Sequence, residues 1–258
     1  MDASFIIATY NTRCPADKPP YDWVSRAPRY IEVIKKNKFE IFGMQEPRKN
    51  QVDDVVAGTS FRSLGGGRDD FKDAGEFNNI VYDPKRFELL DGGTFGLSEH
   101  PETPGCISWK SACPRIATWG VFRDRLTGKK FYYCNTHLDH VSEEARVNGI
   151  RLVLEHAERN GKGCPVLLTG DFNAFPDSEV YKMTSQHLHD ACRISQTPHT
   201  GPAKTFHGWG SEKVRNAPID YIFVSDGVRV LRAYTDDTKP SGEFASDHYP
   251  VIAEIVLP

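Results

Sequence analysis

The sequence predicts an α/β (α+β) fold in which two β-sheets pack face to face and helices cover their outer faces. Two observations favour this class. Short strand-like runs recur along the whole chain, and several alternate apolar with polar residues, as half-buried strands do. Few segments carry a helical periodicity. The chain has 258 residues and is 39% hydrophobic, which suits one large domain or two small ones.

The predicted strands are spread from one end of the chain to the other. In chain order they are Phe5–Tyr10, Ile41–Met44, Asn79–Tyr82, Phe87–Leu90, Ala117–Arg123, Lys130–Asn135, Val166–Thr169, Ile219–Val224, Val228–Ala233 and Val251–Val256. The last run shows the pattern most clearly, because Val251, Ala253 and Ile255 lie on one face of an extended chain.

Two longer segments are predicted as helices. In the first, the apolar stripe consists of Trp23, Ala27, Tyr30, Ile31 and Ile34. In the second, within Ser142–Asn160, it consists of Val147, Ile150, Leu154 and Ala157. Asp177-Ser178 is typical of an N-cap, and it predicts a short third helix through Tyr181. The Pro/Gly-rich stretches are predicted as surface loops: Pro15–Pro20, Gly65–Gly75, His100–Gly105 and Thr197–Pro202.

Composition narrows the class of protein. The formal net charge of −3 provides no global basic field for nucleic acid, although a local phosphate site is compatible with it. No stretch is apolar and long enough to span a bilayer, and Phe5–Ala8 is too short for a signal sequence. The six cysteines show no CxxC spacing, so we expect free thiols and a cytoplasmic location. A secreted or periplasmic location is the alternative if a signal peptide has been removed.

Polar residues with catalytic potential follow or precede the predicted strands. They are Asn11, Gln45-Glu46, His137, Asp171, Asn173, Asp220 and Asp247-His248. Any one of them alone is better explained as a turn or a cap. Together they are better explained as a site, because strand ends in a two-sheet sandwich gather at one rim.

These residue types match the needs of phosphoester hydrolysis. A hard divalent cation requires carboxylate and amide oxygens, and Glu46 and Asn11 supply that chemistry. The attacking water requires a base or an orienting acceptor, for which Asp171 is suited.

The charge that develops on the phosphoryl oxygens requires hydrogen-bond donors. His248, His137 and Asn173 are the candidates. Carboxylates that orient the two histidines and keep them cationic are also needed, and Asp220 and Glu76 are the candidates for that role.

Two other site types are weaker interpretations. Ser246-Asp247-His248 suggests a serine hydrolase, but the chain has no Gly-x-Ser-x-Gly elbow. His137 and His140 suggest a transition-metal site, but their spacing on a strand that ends in a turn is a poor metal signature.

An ordered set of short motifs resembles the endonuclease/exonuclease/phosphatase superfamily, which includes DNase I and the apurinic endonucleases. The motifs are Thr9-Tyr10-Asn11, Gln45-Glu46, Asn135-Thr136-His137-Leu138, Gly170-Asp171-Phe172-Asn173, Ile219-Asp220-Tyr221 and Ser246-Asp247-His248. Each is weak alone, and their shared order is specific. The resemblance spans nearly the whole chain and implies a four-layer, DNase I-like sandwich of mostly antiparallel sheets and one catalytic domain over residues 1–258.

The resemblance also implies a Mg²⁺- or Mn²⁺-dependent phosphoesterase. It implies that Glu46 is the principal metal ligand, with Asn11 and Asp247 near the ion. Asp171 and Asn173 would activate and orient the water.

The resemblance further implies that His248 contacts the scissile phosphate, with Asp220 behind it. His137 would be a second phosphate contact, with Glu76 behind it. Glu76 matches the family pattern loosely, so a role in a surface loop is the alternative.

The sequence after the Gly-Asp-Phe-Asn motif looks like that of bacterial members near the deadenylase and nocturnin-like branch. Three residues outside the motifs are candidates for substrate binding. Arg115 and Arg13 are placed to reach a phosphate or to form structural ion pairs. Trp209 lies in a glycine-rich loop, where it would stack on a base or sugar or simply anchor the loop.

The leading hypothesis is a metal-dependent phosphodiesterase acting on nucleic acid or a nucleotide-like substrate. The alternative is a phosphatase or phosphodiesterase for small molecules, sugars or lipids, which the charge of −3 favours. An inert binding protein is the third hypothesis, and the intact motif set argues against it. No feature of the sequence indicates an obligate protein partner.

Overall fold

The computed structural model describes residues 3–161 and 163–258, and twelve strands lie within them. They are β1 (Phe5–Asn11), β2 (Ile41–Gln45), β3 (Arg62–Leu64), β4 (Ile80–Tyr82), β5 (Phe87–Gly96), β6 (Ile116–Asp124), β7 (Lys130–His137), β8 (Val166–Asp171), β9 (His189–Asp190), β10 (Asp220–Val224), β11 (Arg229–Thr235) and β12 (Val251–Val256). The predicted strands are all present, with boundaries shifted by a few residues. β3 and β9 were not predicted, because strands this short show no alternation.

The strands form two six-stranded sheets, with the order β11-β12-β1-β2-β4-β3 in one and β5-β6-β7-β8-β10-β9 in the other. Each sheet contains one parallel pair, β1 with β2 and β7 with β8, and the other pairs are antiparallel. The predicted class, two mostly antiparallel sheets with helices outside, is therefore confirmed.

Five α-helices accompany the sheets in the described residues. They are α1 (Trp23–Lys36), α2 (Lys49–Thr59), α3 (Glu143–Gly161), α4 (Glu179–Ser185) and α5 (Ala191–Ile194). The apolar faces of α1 and α2 pack on the first sheet, and those of α3 and α4 pack on the second. Ser178 caps α4 as predicted, by accepting a hydrogen bond from the Tyr181 N–H. α2 was not predicted, because its apolar stripe is narrow.

The two sheets bury a continuous apolar core between them, and polar side chains replace it near one rim. There the Gln45 Nε2 donates to Asn135 Oδ1 at 2.7 Å, and the Asn135 Nδ2 donates to the Met44 carbonyl at 2.8 Å. Gly43 makes room for this contact, because a Cβ at that position would lie 2.2 Å from Asn135 Oδ1. This polar layer sets how the two sheets meet below the rim.

Strand register then brings the candidate residues together. The carboxyl ends of both parallel pairs point to the same rim, where Asn11 is paired with Gln45 and His137 with Asp171. Antiparallel pairing of β8 and β10 places Asp220 beside Asp171. No helix in the described residues is both long and apolar enough to cross a membrane.

Candidate active site

A cavity of about 360 Å³ opens at this rim. It is lined by Arg13, Cys14, Glu46, Arg68, Glu76, Cys113, Arg115, His137, His140, Asp171, Asn173, Phe206, Ile219, Asp247 and His248. Nine of the twelve residues predicted for the site belong to this lining. Asn11 and Asp220 lie directly behind it, and Trp209 lies away from it.

Asp171 lies at the junction of the two sheets. Its Oδ2 is 3.0 Å from Asn11 Nδ2, 3.6 Å from His137 Nε2 and 3.8 Å from His248 Nε2. Its Oδ1 accepts a hydrogen bond from the Asn173 N–H at 2.9 Å. One carboxylate oxygen therefore faces the end of β1 and both candidate histidines.

Asn11 holds two carboxylates rather than offering an oxygen to the cavity. Its Nδ2 donates at 3.0 Å to both Glu46 Oε1 and Asp171 Oδ2, and its Oδ1 accepts the Arg13 N–H at 2.8 Å. Asn11 is fully buried. The sequence predicted Asn11 near an ion; in the structure its amide nitrogen holds the two carboxylates that flank the cavity, and its amide oxygen accepts one backbone N–H.

Glu46 and Asn173 are among the site residues with a left-handed backbone, which non-glycine residues adopt at a cost. The φ angles are 68° at Glu46 and 47° at Asn173. The turn at Glu46 lets its Oε2 accept the Cys14 N–H at 3.1 Å. The turn at Asn173 lets its side chain return toward His137. The strained backbone at Glu46 and Asn173 thus directs both side chains toward the cavity.

His248 is paired with a carboxylate. Its Nδ1 lies 2.9 Å from Asp220 Oδ2, and both residues are buried. Burial alone would lower the pKa of His248, but the charge and hydrogen bond of Asp220, reinforced by Asp171, raise it to about 10. His248 is therefore cationic at neutral pH, as the sequence analysis required of a phosphate contact.

His137 has the opposite surroundings. The Asn173 Nδ2 donates to its Nε2 at 2.9 Å and to the Leu138 carbonyl at 3.0 Å, so that ring nitrogen is an acceptor. Burial, together with the positive charges of Arg115 and His248, holds the pKa of His137 well below its usual value. His137 is therefore a neutral imidazole.

Glu76 lies in the cavity wall but supports a different partner from the one predicted. Its carboxylate is bonded to Arg68 Nη1 at 2.6 Å, and the Arg68 N–H donates to the Glu76 carbonyl. In the described part of the chain, the hydrogen-bond partner of the His137 ring is Asn173. Arg68 and Glu76 face each other across one short hairpin-like loop, so the Arg68 guanidinium pairs with this carboxylate.

The remaining acidic groups favour a cation. Four buried or nearly buried carboxylates, Glu46, Asp171, Asp220 and Asp247, surround this end of the cavity. The cations within ion-pair distance of them, among the described residues, are Arg13 and His248. Arg13 is 3.9 Å from Glu46 and 3.8 Å from Asp247, beyond hydrogen-bond distance.

The pKa shifts follow from this excess of negative charge. Burial and the charge of Asp220 raise the pKa of Asp171 to about 7. Burial, with a smaller contribution from Glu46, raises the pKa of Asp247. Burial opposes the ionisation of Glu46, but His248 and the Asn11 hydrogen bond outweigh it and lower the pKa of Glu46. Oxygen ligands with unbalanced negative charge fit a divalent cation such as Mg²⁺ or Mn²⁺.

Ligand atoms of two three-residue groups also lie within 4.8 Å of one another: Glu46, His137 and Asp171, and Asp171, Asp220 and His248. The second group is internally paired, because His248 and Asp220 already form a hydrogen bond. The first group lies within the cavity lining, which also includes Asp247.

The two predicted arginines lie in the cavity wall, and both are already paired. Arg13 Nε is 2.8 Å from Asp17 Oδ2. Arg115 is buried, with its Nε 3.3 Å from Asp139 Oδ2 and its Nη2 2.9 Å from His140 Nδ1. Each therefore forms a structural ion pair, which was one of its two predicted roles, and each also faces the cavity.

Trp209 anchors its loop, which was one of its two predicted roles. Its ring stacks on Tyr21 with 4.2 Å between ring centroids, and it lies outside the cavity lining. The aromatic that reaches the cavity is Phe206, whose ring is 4.9 Å from that of His248. Phe206 and Arg68 were not predicted, because each lies in a loop far from any motif.

Comparison with known proteins identifies the family of the chain. The model of the endonuclease/exonuclease/phosphatase family matches residues 8–248. A solved family protein from Bacteroides vulgatus is 35% identical with a TM-score of 0.92, and the match covers 99% of this chain and 100% of that one. A Bacteroides thetaiotaomicron structure described as a mannosyl-6-phosphatase is 31% identical with a TM-score of 0.89, covering 98% and 99%.

A more distantly similar solved structure shares the fold. The catalytic domain of human nocturnin is 19% identical with a TM-score of 0.77, and the match covers 100% of this chain and 97% of that one. The chain spans less than half the length of the curated relatives it matches, 41% of one and 28% of another. Members of the matched family hydrolyse phosphoester bonds. With the family model matching nearly its whole length, the chain belongs to the endonuclease/exonuclease/phosphatase family.

Proposed function

We propose that this chain is a divalent-metal-dependent phosphoester hydrolase whose substrate is a small phosphorylated molecule. The position of Asp171 carries the proposal. Its Oδ2 lies within 4 Å of Asn11 on the metal side and of both histidines on the other side. A carboxylate in that position can receive a proton from a water that attacks a phosphate held between the two sides.

The roles of the side chains follow from their contacts. A divalent cation held by Glu46 and Asp247 would neutralise phosphate charge and polarise the bond to phosphorus. Asp171 accepts the proton of the attacking water as the water oxygen bonds to phosphorus. The bond from phosphorus to the leaving alcohol breaks, and that alcohol takes a proton from solvent. His248, as a cation, donates to a phosphoryl oxygen.

The other two polar groups set orientation. Asn173 fixes His137 as an acceptor at Nε2, which leaves the Nδ1–H of the neutral ring as its donor. Asn11 holds Glu46 and Asp171 at one separation. These contacts are made before substrate arrives, so little reorganisation is needed during the reaction.

The cavity favours a small substrate over a polymer. Its volume is about 360 Å³, and the Arg68–Glu76 pair lies along its wall. Paired guanidinium and carboxylate groups offer donors and acceptors side by side, which suits a hydroxyl-rich leaving group such as a sugar. Trp209 is stacked on Tyr21 and so provides no free platform for a base. The 31% identical relative described as a mannosyl-6-phosphatase supports the same class.

Nucleic acids and nucleotides are the competing substrate class. All six cysteines are free, which supports the cytoplasmic location expected from the sequence.

The catalytic assignment is tested with Glu46→Gln and Asp171→Asn, with Asp53→Asn as the control because Asp53 is an exposed carboxylate on α2. Asp171→Asn should lower kcat by about 1,000-fold, as expected for a lost general base. Glu46→Gln should weaken Mg²⁺ binding, measured by calorimetry, and Asp53→Asn should change neither quantity. Near-normal metal-dependent turnover in either site variant would overturn the assignment.

The substrate class is tested by assaying the wild-type protein with Mg²⁺ on hexose phosphates, inositol phosphates, sphingomyelin and oligonucleotides. We expect turnover of a sugar phosphate. Turnover confined to oligonucleotides would overturn the small-molecule assignment and restore the phosphodiesterase hypothesis.

A further inference from the structure

Arg26 is an arginine in α1 that is completely buried without a carboxylate partner within ion-pair distance among the described residues. Its guanidinium instead donates to four backbone carbonyl oxygens. Nε donates to Tyr21 at 2.6 Å, Nη1 to Thr12 at 2.7 Å and to Ala245 at 3.0 Å, and Nη2 to Arg13 at 3.0 Å. A buried charge in such a position is costly, so the contacts it makes must matter to the fold or the site.

Three of these carbonyls belong to the two segments that carry the metal side of the site. Thr12 and Arg13 directly follow Asn11 where the chain leaves β1, and Ala245 comes two residues before Asp247. The two segments are more than 200 residues apart in sequence. Both Nη1 bonds come from one nitrogen, so the guanidinium joins the segments through a single rigid group.

Neighbouring contacts complete the same junction. The Ser246 hydroxyl donates to the Asn11 carbonyl at 2.6 Å, and the Gln51 Nε2 donates to the Arg13 carbonyl at 2.9 Å. The chain after β1 has left the sheet, so its carbonyls lack strand partners and need side-chain donors. Arg26 supplies three of the bonds that hold this turn against the segment before Asp247.

Aromatic rings enclose the guanidinium. Its carbon lies 5.4 Å from the ring centroid of Trp23 and 5.5 Å from that of Trp209. Trp209 is itself backed by Tyr21. In this position the Trp209 loop shields Arg26 from water, and this preserves the strength of the four hydrogen bonds.

We infer that Arg26 is a positioning residue for the metal site: it sets the spacing between Thr12-Arg13, which follow Asn11, and the segment that carries Asp247. The inference rests on the proposed function, since it concerns the ion that Glu46 and Asp247 would hold. Lysine cannot replace it, because one ammonium cannot reach the same carbonyls in the same plane.

The test compares Arg26→Lys with Arg29→Lys. Arg29 is a second buried arginine of α1, and it donates to the carbonyls of Ser25 and Pro20, outside the metal-side segments. Mg²⁺ affinity is measured by calorimetry on folded protein, and unfolding by thermal melts. We expect both variants to lose stability. Arg26→Lys alone should weaken Mg²⁺ binding, by about 10- to 100-fold as for lost support of a metal ligand.

A kinetic measurement separates positioning from general damage. In Arg26→Lys the Mg²⁺ concentration for half-maximal activity should rise, and kcat at saturating Mg²⁺ should largely recover. Equal Mg²⁺ affinity in folded Arg26→Lys and wild-type protein would overturn the inference. Absence of saturable Mg²⁺ binding to wild-type protein would instead overturn the proposed function.

A second variant serves if Arg26→Lys does not fold. Trp209→Leu keeps all four hydrogen bonds of Arg26 and removes one of its covering rings. We expect a smaller loss of Mg²⁺ affinity in the same direction. Unchanged affinity in Trp209→Leu would then overturn the inference.

Discussion

His248 and His137 lie 3.8 and 3.6 Å from the same oxygen of Asp171, yet the first is cationic and the second is neutral. His248 is bonded to Asp220 and is cationic, with a pKa raised to about 10 against the effect of burial. His137 is bonded to the amide of Asn173, and burial together with Arg115 keeps its pKa well below the usual value.

The charge of each histidine therefore depends on its neighbours in other parts of the chain. Asp220 comes from β10, next to Asp171, and it supplies the charge that His248 needs. Near His137 the corresponding carboxylate, Glu76, is bonded to Arg68. One histidine is therefore suited to stabilise negative charge as a cation, and the other is a neutral ring held in place by Asn173.

The largest expected effect comes from removing each histidine in turn. His248→Asn should lower kcat by about 1,000-fold and His137→Asn by about 100-fold, the two ends of the range for one stabilising contact. A cation stabilises developing phosphate charge more than a neutral ring does. Steady-state kinetics at saturating Mg²⁺ measures both. A larger loss for His137→Asn would reverse the comparison.

Removing the carboxylate behind His248 should have the next largest effect. Asp220→Asn should lower kcat at neutral pH by about 100-fold, because His248 then loses the charge that keeps it protonated. In wild-type protein the activity should fall as pH rises through about 10, where His248 loses its proton. In Asp220→Asn that fall should begin at lower pH. An unchanged pH profile would show that Asp220 does not set the charge of His248.

The two histidines should also affect stability with opposite signs. The folded pKa of His248 is above its ordinary value of 6.5, so its contribution is complete below pH 6.5 and is lost as pH rises toward about 10. The folded pKa of His137 lies below 6.5, so the unfolded chain binds a proton more readily and stability falls as pH drops below that value.

Urea unfolding of metal-free protein across this pH range measures both slopes. Asp220→Asn should reduce the loss of stability at alkaline pH, and His137→Asn should reduce the loss at acidic pH. If His137→Asn left the fall in stability at acidic pH unchanged, His137 would not be neutral in the folded protein.

The smallest expected effect belongs to Glu76. Glu76→Gln breaks its ion pair with Arg68 in the cavity wall, without touching either histidine. We expect KM to rise by a few fold, since a partly exposed ion pair contributes about 1 kcal/mol or less, and kcat to stay unchanged. A fall in kcat comparable to that of Asp220→Asn would mean that Glu76 supports His137 after all.

Most of the fold and most of the site could be predicted because they depend on local pattern. Strand alternation and the polar residues at strand ends both appear within a few positions of the sequence. The partners of Glu76 and Trp209 could not be predicted this way. Arg68 reaches Glu76 and Tyr21 reaches Trp209 across loops, and loop geometry leaves no periodic signal.

The two-sheet class and the motif residues could be predicted from the sequence, because burial alternation and residue type are local properties. Tertiary structure alone decided which groups face one another. It placed Asn11 between two carboxylates, and it made one histidine cationic and the other neutral. It also brought Arg26 between segments more than 200 residues apart. The physical reason is that charge states and hydrogen-bond partners depend on distances in space, which the order of residues does not record.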